Sequence, residues 1–241
     1  LAAALAERRR SLLVDLDPQA NASSGVGIVN PERTIYDVLT GYSSARLAVV
    51  ETSQQNLSLI ASSADLAGAA VELGASSENL LLLSRSLIGV RPNYDFIIID
   101  APPSIGSLTL NALAASDRLI IPLQCEYYAL EGIAGMMETV ARVQGSLNRD
   151  LSILGILLTM YDARTKLSGQ VAENVRTQFG SDVFRTVIPR NVRLAEAPSY
   201  GRSVLAYAPA SLGAQAYQAL AEEVIERVSE DKYRISMAVA G

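Results

Sequence analysis

The chain has 241 residues, no histidine, one cysteine and a net charge of −5. Without histidine there is no Ser-His-Asp or Cys-His set and no imidazole metal ligand, and the lone Cys125 rules out an internal disulfide and a thiolate zinc cage. The acidic total argues against nucleic-acid binding through bulk charge but leaves room for a local basic patch.

The first residues, Leu1-Ala-Ala-Ala-Leu-Ala-Glu7, form helix readily, have no N-cap ahead of them and read as the interior of a helix. Strands are predicted at 11–16, 57–61, 94–100, 118–123, 151–160 and 183–188. Most are apolar throughout rather than alternating, as strands buried on both faces are. Helices are predicted between them at 35–39, 64–73, 77–89, 108–115, 130–147, 165–179 and 214–228. Strands alternating with helices predict an α/β fold with a doubly wound, mostly parallel sheet, whose strand C-termini share one ligand-binding edge. No linker divides the chain, so one domain is expected over 1–230, with a frayed tail at 231–241. The apolar runs, such as 96–99 and 153–160, are far shorter than the roughly 20 residues of a membrane-spanning helix. No signal-peptide pattern is present, and the lack of disulfides suits a reducing cytoplasm.

Chemistry concentrates at two strand ends. The first strand closes in Val14-Asp15-Leu16-Asp17-Pro18. Residues two apart share a strand face, so both acids are expected at the functional edge. A lone aspartate there would merely hold the following turn; a pair ahead of a proline and a polar loop points to function. Phe96-Ile-Ile-Ile-Asp100 has the form of a Walker B strand, whose acid supports Mg²⁺. The loop 101–106 follows, with two prolines and with Gly106 as a pivot.

A basic cluster, Arg164, Lys166, Arg190, Arg193 and Arg202, lies in the C-terminal third. It suits phosphate contact and equally suits a solvated surface. Tyr127 and Tyr128 read as packing residues, and Cys125 as a small core residue. In the last helix Leu212, Ala216, Leu220 and Val224 form one apolar stripe. Glu222, Glu223, Glu226 and Glu230 are expected on its exposed face, where an anionic membrane would repel them.

The segments DLDPQANASSG (15–25), IIIDAPPSIGSLTLNAL (97–113), PLQCEYYALEG (122–132), LLTMYDART (157–165) and VIPRNVRLAEAPSYG (187–201) occur in this order. Together they resemble the ParA family of DNA-partition ATPases, which bear a deviant Walker A motif. The resemblance implies a P-loop ATPase fold, ATP and Mg²⁺ as cofactors, and an ATP-bound homodimer. It also implies nonspecific double-stranded DNA and a ParB-like protein as partners, no membrane, and a nucleoid-associated cytoplasmic location. By resemblance, Asp17 orients the attacking water, Asp100 is the Walker B acid, Asp15 lies beside the Mg²⁺ site, and 101–106 is the second switch. Pro189 and Asn191 match the adenine-packing segment. Arg164 and Arg193 match DNA-binding residues, with Lys166 and Arg202 beside them.

One departure stands out. The chain has only two lysines, Lys166 and Lys232, and no G-x-x-x-x-G-K-[ST] stretch. Residues 1–7 resemble the end of the helix that follows that loop. The expectation is therefore a fragment without the family's first strand and P-loop. Such a chain would expose apolar surface beside the Walker B strand, fold poorly alone and bind ATP weakly. The alternative is a nucleotide-free, non-catalytic interaction module of the same fold. A metal-cluster carrier would need paired cysteines, which Cys125 alone cannot supply.

Overall fold

In a computed structural model of the chain, residues 1–72, 74, 76–126 and 129–238 are described. Six strands are present: β1 (Ser11–Asp15), β2 (Val49–Glu51), β3 (Leu57–Ile60), β4 (Phe96–Asp100), β5 (Arg118–Gln124) and β6 (Ser152–Thr159). They form a four-stranded sheet in the order β2-β3-β1-β4 and a two-stranded sheet of β5 and β6. All pairings are parallel except that of β2 with β3. The doubly wound, mostly parallel α/β architecture expected from the alternation is thus the one observed.

β1 is the anchor, buried at every position. Its side chains alternate between the two faces. Leu12 and Val14, with Leu16 just beyond, enter a core built from helices Ile35–Leu39, Leu82–Leu87 and Ser107–Ala115. Leu13 faces the other way, packing with Leu57 and Leu59 against the short helix Ala2–Ala6. The final helix, Leu212–Ala238, covers that second face through Leu220 and Val224, which meet Leu5, Leu154 and Phe184. A further core joins β5 and β6 to helices Ala129–Ser146 and Lys166–Phe179.

Among the described residues no ladder joins β4 to β5. Phe96–Ile99 are only half-buried. A cleft of about 460 Å³ runs between the two sheets, lined by Phe96, Ile98, Ile120, Leu154 and Val224. This is the apolar surface expected beside the Walker B strand.

Several local expectations change. The stretch 183–188 is not a strand: it is tied to β6 by an isolated bridge between Ile156 and Val183 and by the Phe184 and Ile188 amides, which donate to the Ile156 and Leu158 carbonyls at 2.9 Å, and a second isolated bridge follows between Tyr161 and Pro189. The cause is visible. The amides of Arg185 and Thr186 donate instead to the Glu223 carboxylate, at 2.8 and 2.9 Å, which draws them out of the ladder. Glu223 is therefore buried rather than part of an exposed acidic face. Leu212, at the start of the expected apolar stripe, is exposed. The polar loop after β1 holds a short helix, Asn21–Gly25, and β2 is a three-residue edge too short to show in the pattern. The final helix extends to Ala238, so the backbone at 231–238 is helical. Tyr127 and Tyr128 lie outside the described residues.

Candidate functional site

β1 and β4 end side by side, with Asp15 in register with Asp100. The parallel ladder continues one step further, where the Leu16 amide donates to the Asp100 carbonyl at 2.8 Å. Asp17, two residues past the ladder, is half-buried. The three acids predicted to share an edge thus do so, in three different environments.

Asp15 is fully buried. Its Oδ2 accepts from the Ser23 amide at 2.7 Å and from the Ser23 hydroxyl at 2.6 Å, and its Oδ1 from the Asp17 amide at 3.2 Å. It holds the turn together, the role a lone aspartate would have there. Asp17 begins an Asx-turn, its Oδ1 accepting from the Gln19 amide at 3.0 Å. Asp100 is exposed, and its carboxylate makes no hydrogen bond or ion pair among the described residues. Partial desolvation, and then repulsion from Asp15 and Asp17, push its carboxyl up to about 6.

This donor set suits a hard cation. Magnesium typically takes one or two carboxylates and completes its shell with water and substrate phosphate. Asp100 offers an open carboxylate whose crowding a cation would relieve. No group of three His, Cys, Asp or Glu side chains converges as a metal cage among the described residues. The hydroxyls of Ser62 and Ser63, just past β3, are buried without a protein partner, so this edge has polar capacity to spare.

The loop 101–106 is irregular and mostly exposed, and Ile105 projects into solvent. Gly106 has ordinary extended backbone, and a side-chain carbon there would meet nothing within 4 Å, so local geometry does not demand a glycine.

Pro189 and Asn191 sit where the chain leaves β6. The Arg190 amide donates to the Tyr161 carbonyl at 2.8 Å. Asn191 caps helix Val192–Glu196, its Oδ1 accepting from the Arg193 amide at 2.9 Å. The expected DNA-contact residues are all exposed. They differ in how far they are already neutralised. Arg164 makes a two-pronged pair with Asp162, at 2.9 and 2.8 Å, which holds that carboxyl down to about 2. Arg193 pairs with Glu196 at 2.7 Å. Arg190 meets Glu126 at 3.3 Å. Lys166 and Arg202 have no side-chain partner among the described residues.

One contact escaped the sequence reading. Gly27, at φ +84°, lies against the backbone of Gly201, at φ +62°. A side-chain carbon on Gly27 would fall 2.9 Å from the Gly201 oxygen. Only the glycines themselves hinted at it, and no local pattern says that two distant glycines touch.

A parallel, doubly wound sheet with an acid-tipped β1 beside an acid-tipped β4 defines a protein of the P-loop NTPase class. The comparisons agree. The family model described as an AAA domain, AAA_31, matches residues 1–153. The sporulation initiation inhibitor protein Soj of Bacillus subtilis is 51% identical over 218 residues, covering 90% of this chain and 86% of that protein. The chromosome partitioning protein ParA of Caulobacter vibrioides is 49% identical over 222 residues, covering 90% of this chain and 83% of that protein. A Mycobacterium smegmatis structure, described as cobyrinic acid a,c-diamide synthase with bound ATP analogue and magnesium, superposes with TM-score 0.81 at 35% identity, covering 95% of this chain and 87% of that one. The chain belongs to the ParA/Soj family of chromosome-partitioning ATPases. Among the described residues no helix is long and apolar enough to cross a membrane.

Proposed function

We propose that this protein is a ParA-type ATPase that closes into a dimer on ATP and holds nonspecific double-stranded DNA in that state. The observation that carries the reading is the paired strand ends, which bring Asp17 to one edge with Asp100, an open and crowded carboxylate. Asp17 would orient the attacking water, since its Oδ1 is committed to the turn and its other oxygen remains for a ligand. Asp100 would hold Mg²⁺, mainly through water, with Asp15 behind it fixing the turn. The ion would supply charge neutralisation on the transferred phosphate. Pro189 and Asn191 would pack on the adenine.

Arg164, Lys166, Arg193 and Arg202 would contact DNA phosphates in a salt-sensitive way. A ParB-like protein would stimulate hydrolysis and so release the dimer, giving the protein a nucleoid-associated, cytoplasmic place of work. Support for this comes from the identity to Soj and ParA proteins, which exceeds that to the cobyrinic acid synthase structure.

Catalysis also requires a phosphate-cradling loop with its lysine, and the 241 residues contain none. The test assays the full-length gene product for ATP hydrolysis and for ATP-dependent retention on DNA. Asp17→Ala should keep retention and lose turnover. No ATP-dependent retention in the parent protein would refute the proposal.

That these residues hold no such loop also favours a second reading, a nucleotide-free interaction module. Calorimetry of the 241-residue chain with ATP and Mg²⁺ separates the two, since saturable micromolar binding rules the module out.

A further inference from the structure

The segment that carries Asp17 is gripped at points the proposed chemistry does not itself use. It leaves β1 at Asp15 and turns through Asp17, Pro18 and Gln19 into the helix Asn21–Gly25. One buried carboxylate holds both ends of that turn: Asp15 accepts from the Asp17 amide at 3.2 Å and from the Ser23 amide at 2.7 Å. The Ser23 hydroxyl does two jobs. It donates to Asp15 Oδ2 at 2.6 Å and accepts from the Ser62 amide at 3.0 Å. Asp15, Ser23 and Ser62 are 0%, 2% and 3% exposed, so water cannot replace a bond that is lost there. A second grip lies at the far end of the segment, where Gly27 meets Gly201 backbone to backbone and Gly25 lies against Pro198.

We propose that Ser23 is a positioning residue for the hydrolytic step: its hydroxyl, clasped between Asp15 and Ser62, ties the turn bearing Asp17 to both β1 and the segment after β3. Ser23 has no reacting atom to touch. Its effect passes through Asp17, whose main-chain anchor is the same carboxylate that Ser23 holds. Without the hydroxyl, Asp15 Oδ2 loses its shortest bond and the Ser62 amide loses its acceptor. The turn is then free to shift by the fraction of an ångström that matters for water orientation. Misplacement of about 1 Å in such a group costs on the order of 100-fold in rate.

This inference rests on the ATPase reading, and the experiment separates the two. In the full-length gene product, Ser23→Ala should lower kcat for ATP hydrolysis by roughly 10- to 100-fold and leave KM for ATP within about twofold, because uniform binding is untouched. Ser23→Thr, which keeps the hydroxyl, should recover most of the loss. In the same proteins, amide hydrogen exchange over 17–28 should speed up about tenfold or more in Ser23→Ala while β1 and β3 amides keep their parental rates. A parental kcat in Ser23→Ala overturns the proposal. So does a loss carried by KM, an equal loss in both variants, or unchanged exchange over 17–28. A parent protein that hydrolyses no ATP instead refutes the ATPase reading, and the exchange result then still decides whether Ser23 holds the turn.

Discussion

Replacing Glu223 by alanine should destabilise the protein more than any change on the surface of the last helix. The carboxylate is 4% exposed and accepts four hydrogen bonds. Two come from the Arg185 and Thr186 amides, at 2.8 and 2.9 Å. Two come from the Arg227 guanidinium, at 3.2 and 3.0 Å. Arg227 in turn donates to the Leu154 and Val183 carbonyls at 3.0 and 2.8 Å and lies over the Phe184 ring at 4.2 Å. Alanine would strand a largely buried arginine and two amides. Breaking a buried pair by removing one partner costs about 3–5 kcal/mol. For a chain of this size each kcal/mol moves the thermal midpoint by about 2–4 °C, so a fall of roughly 6–20 °C is expected. Thermal and urea unfolding followed by circular dichroism would measure it. Glu223→Gln should lose less, since it keeps an acceptor oxygen.

The same network sets a pH dependence. Burial pushes the Glu223 carboxyl up, but the Arg185 and Thr186 amides and Arg227 outweigh it and hold it below the usual glutamate value. A depressed folded value means that its stabilisation is present above the unfolded pKa of about 4.3 and is lost as pH falls through the folded value. The gap between parent and Glu223→Gln should therefore close under acid conditions. A loss below about 1 kcal/mol in Glu223→Ala, the size of an ordinary exposed pair, would show that the network does not hold the last helix to the fold.

Gly155 should not tolerate a side chain, because a carbon there would lie 2.7 Å from the Phe184 ring and 2.9 Å from both the Arg227 guanidinium and the Asp182 carbonyl. Gly155→Ala should cost about 1–3 kcal/mol in urea unfolding; a neutral result would mean that Phe184 can move aside. Lys166 and Arg202, which have no side-chain partner among the described residues, should each weaken ATP-dependent DNA retention when changed to alanine. Each should lower the salt slope by about 1, whereas unchanged slopes would remove them from the interface.

Much of the site was legible because its signals are local. A run of four apolar residues ending in aspartate marks β4. The Asp-Leu-Asp step marks the end of β1, and the alternation of strands and helices marks a parallel sheet. The stretch 183–188 misled because its composition is that of a strand, while its amides are claimed by Glu223, 37 and 38 residues further on. Glu223 misled for the same reason. A glutamate on a helix reads as solvated unless its partners, far off in sequence, are known. Asp15 and Asp17 look equivalent by spacing, yet one is sealed under Ser23 and the other faces the edge.

The sequence by itself determined the class of fold, the order of the motifs, the identity of the acids and the lack of a Gly-rich lysine loop. Those properties follow from residue type and periodicity, which need no neighbours in space. Only the tertiary structure decided which acid is open and which is committed, which arginines are already paired, and how the Asp17 turn is pinned by Ser23 and by Gly27 against Gly201. These depend on burial and on contacts between distant segments, where low dielectric and close packing turn small differences in position into different chemistry.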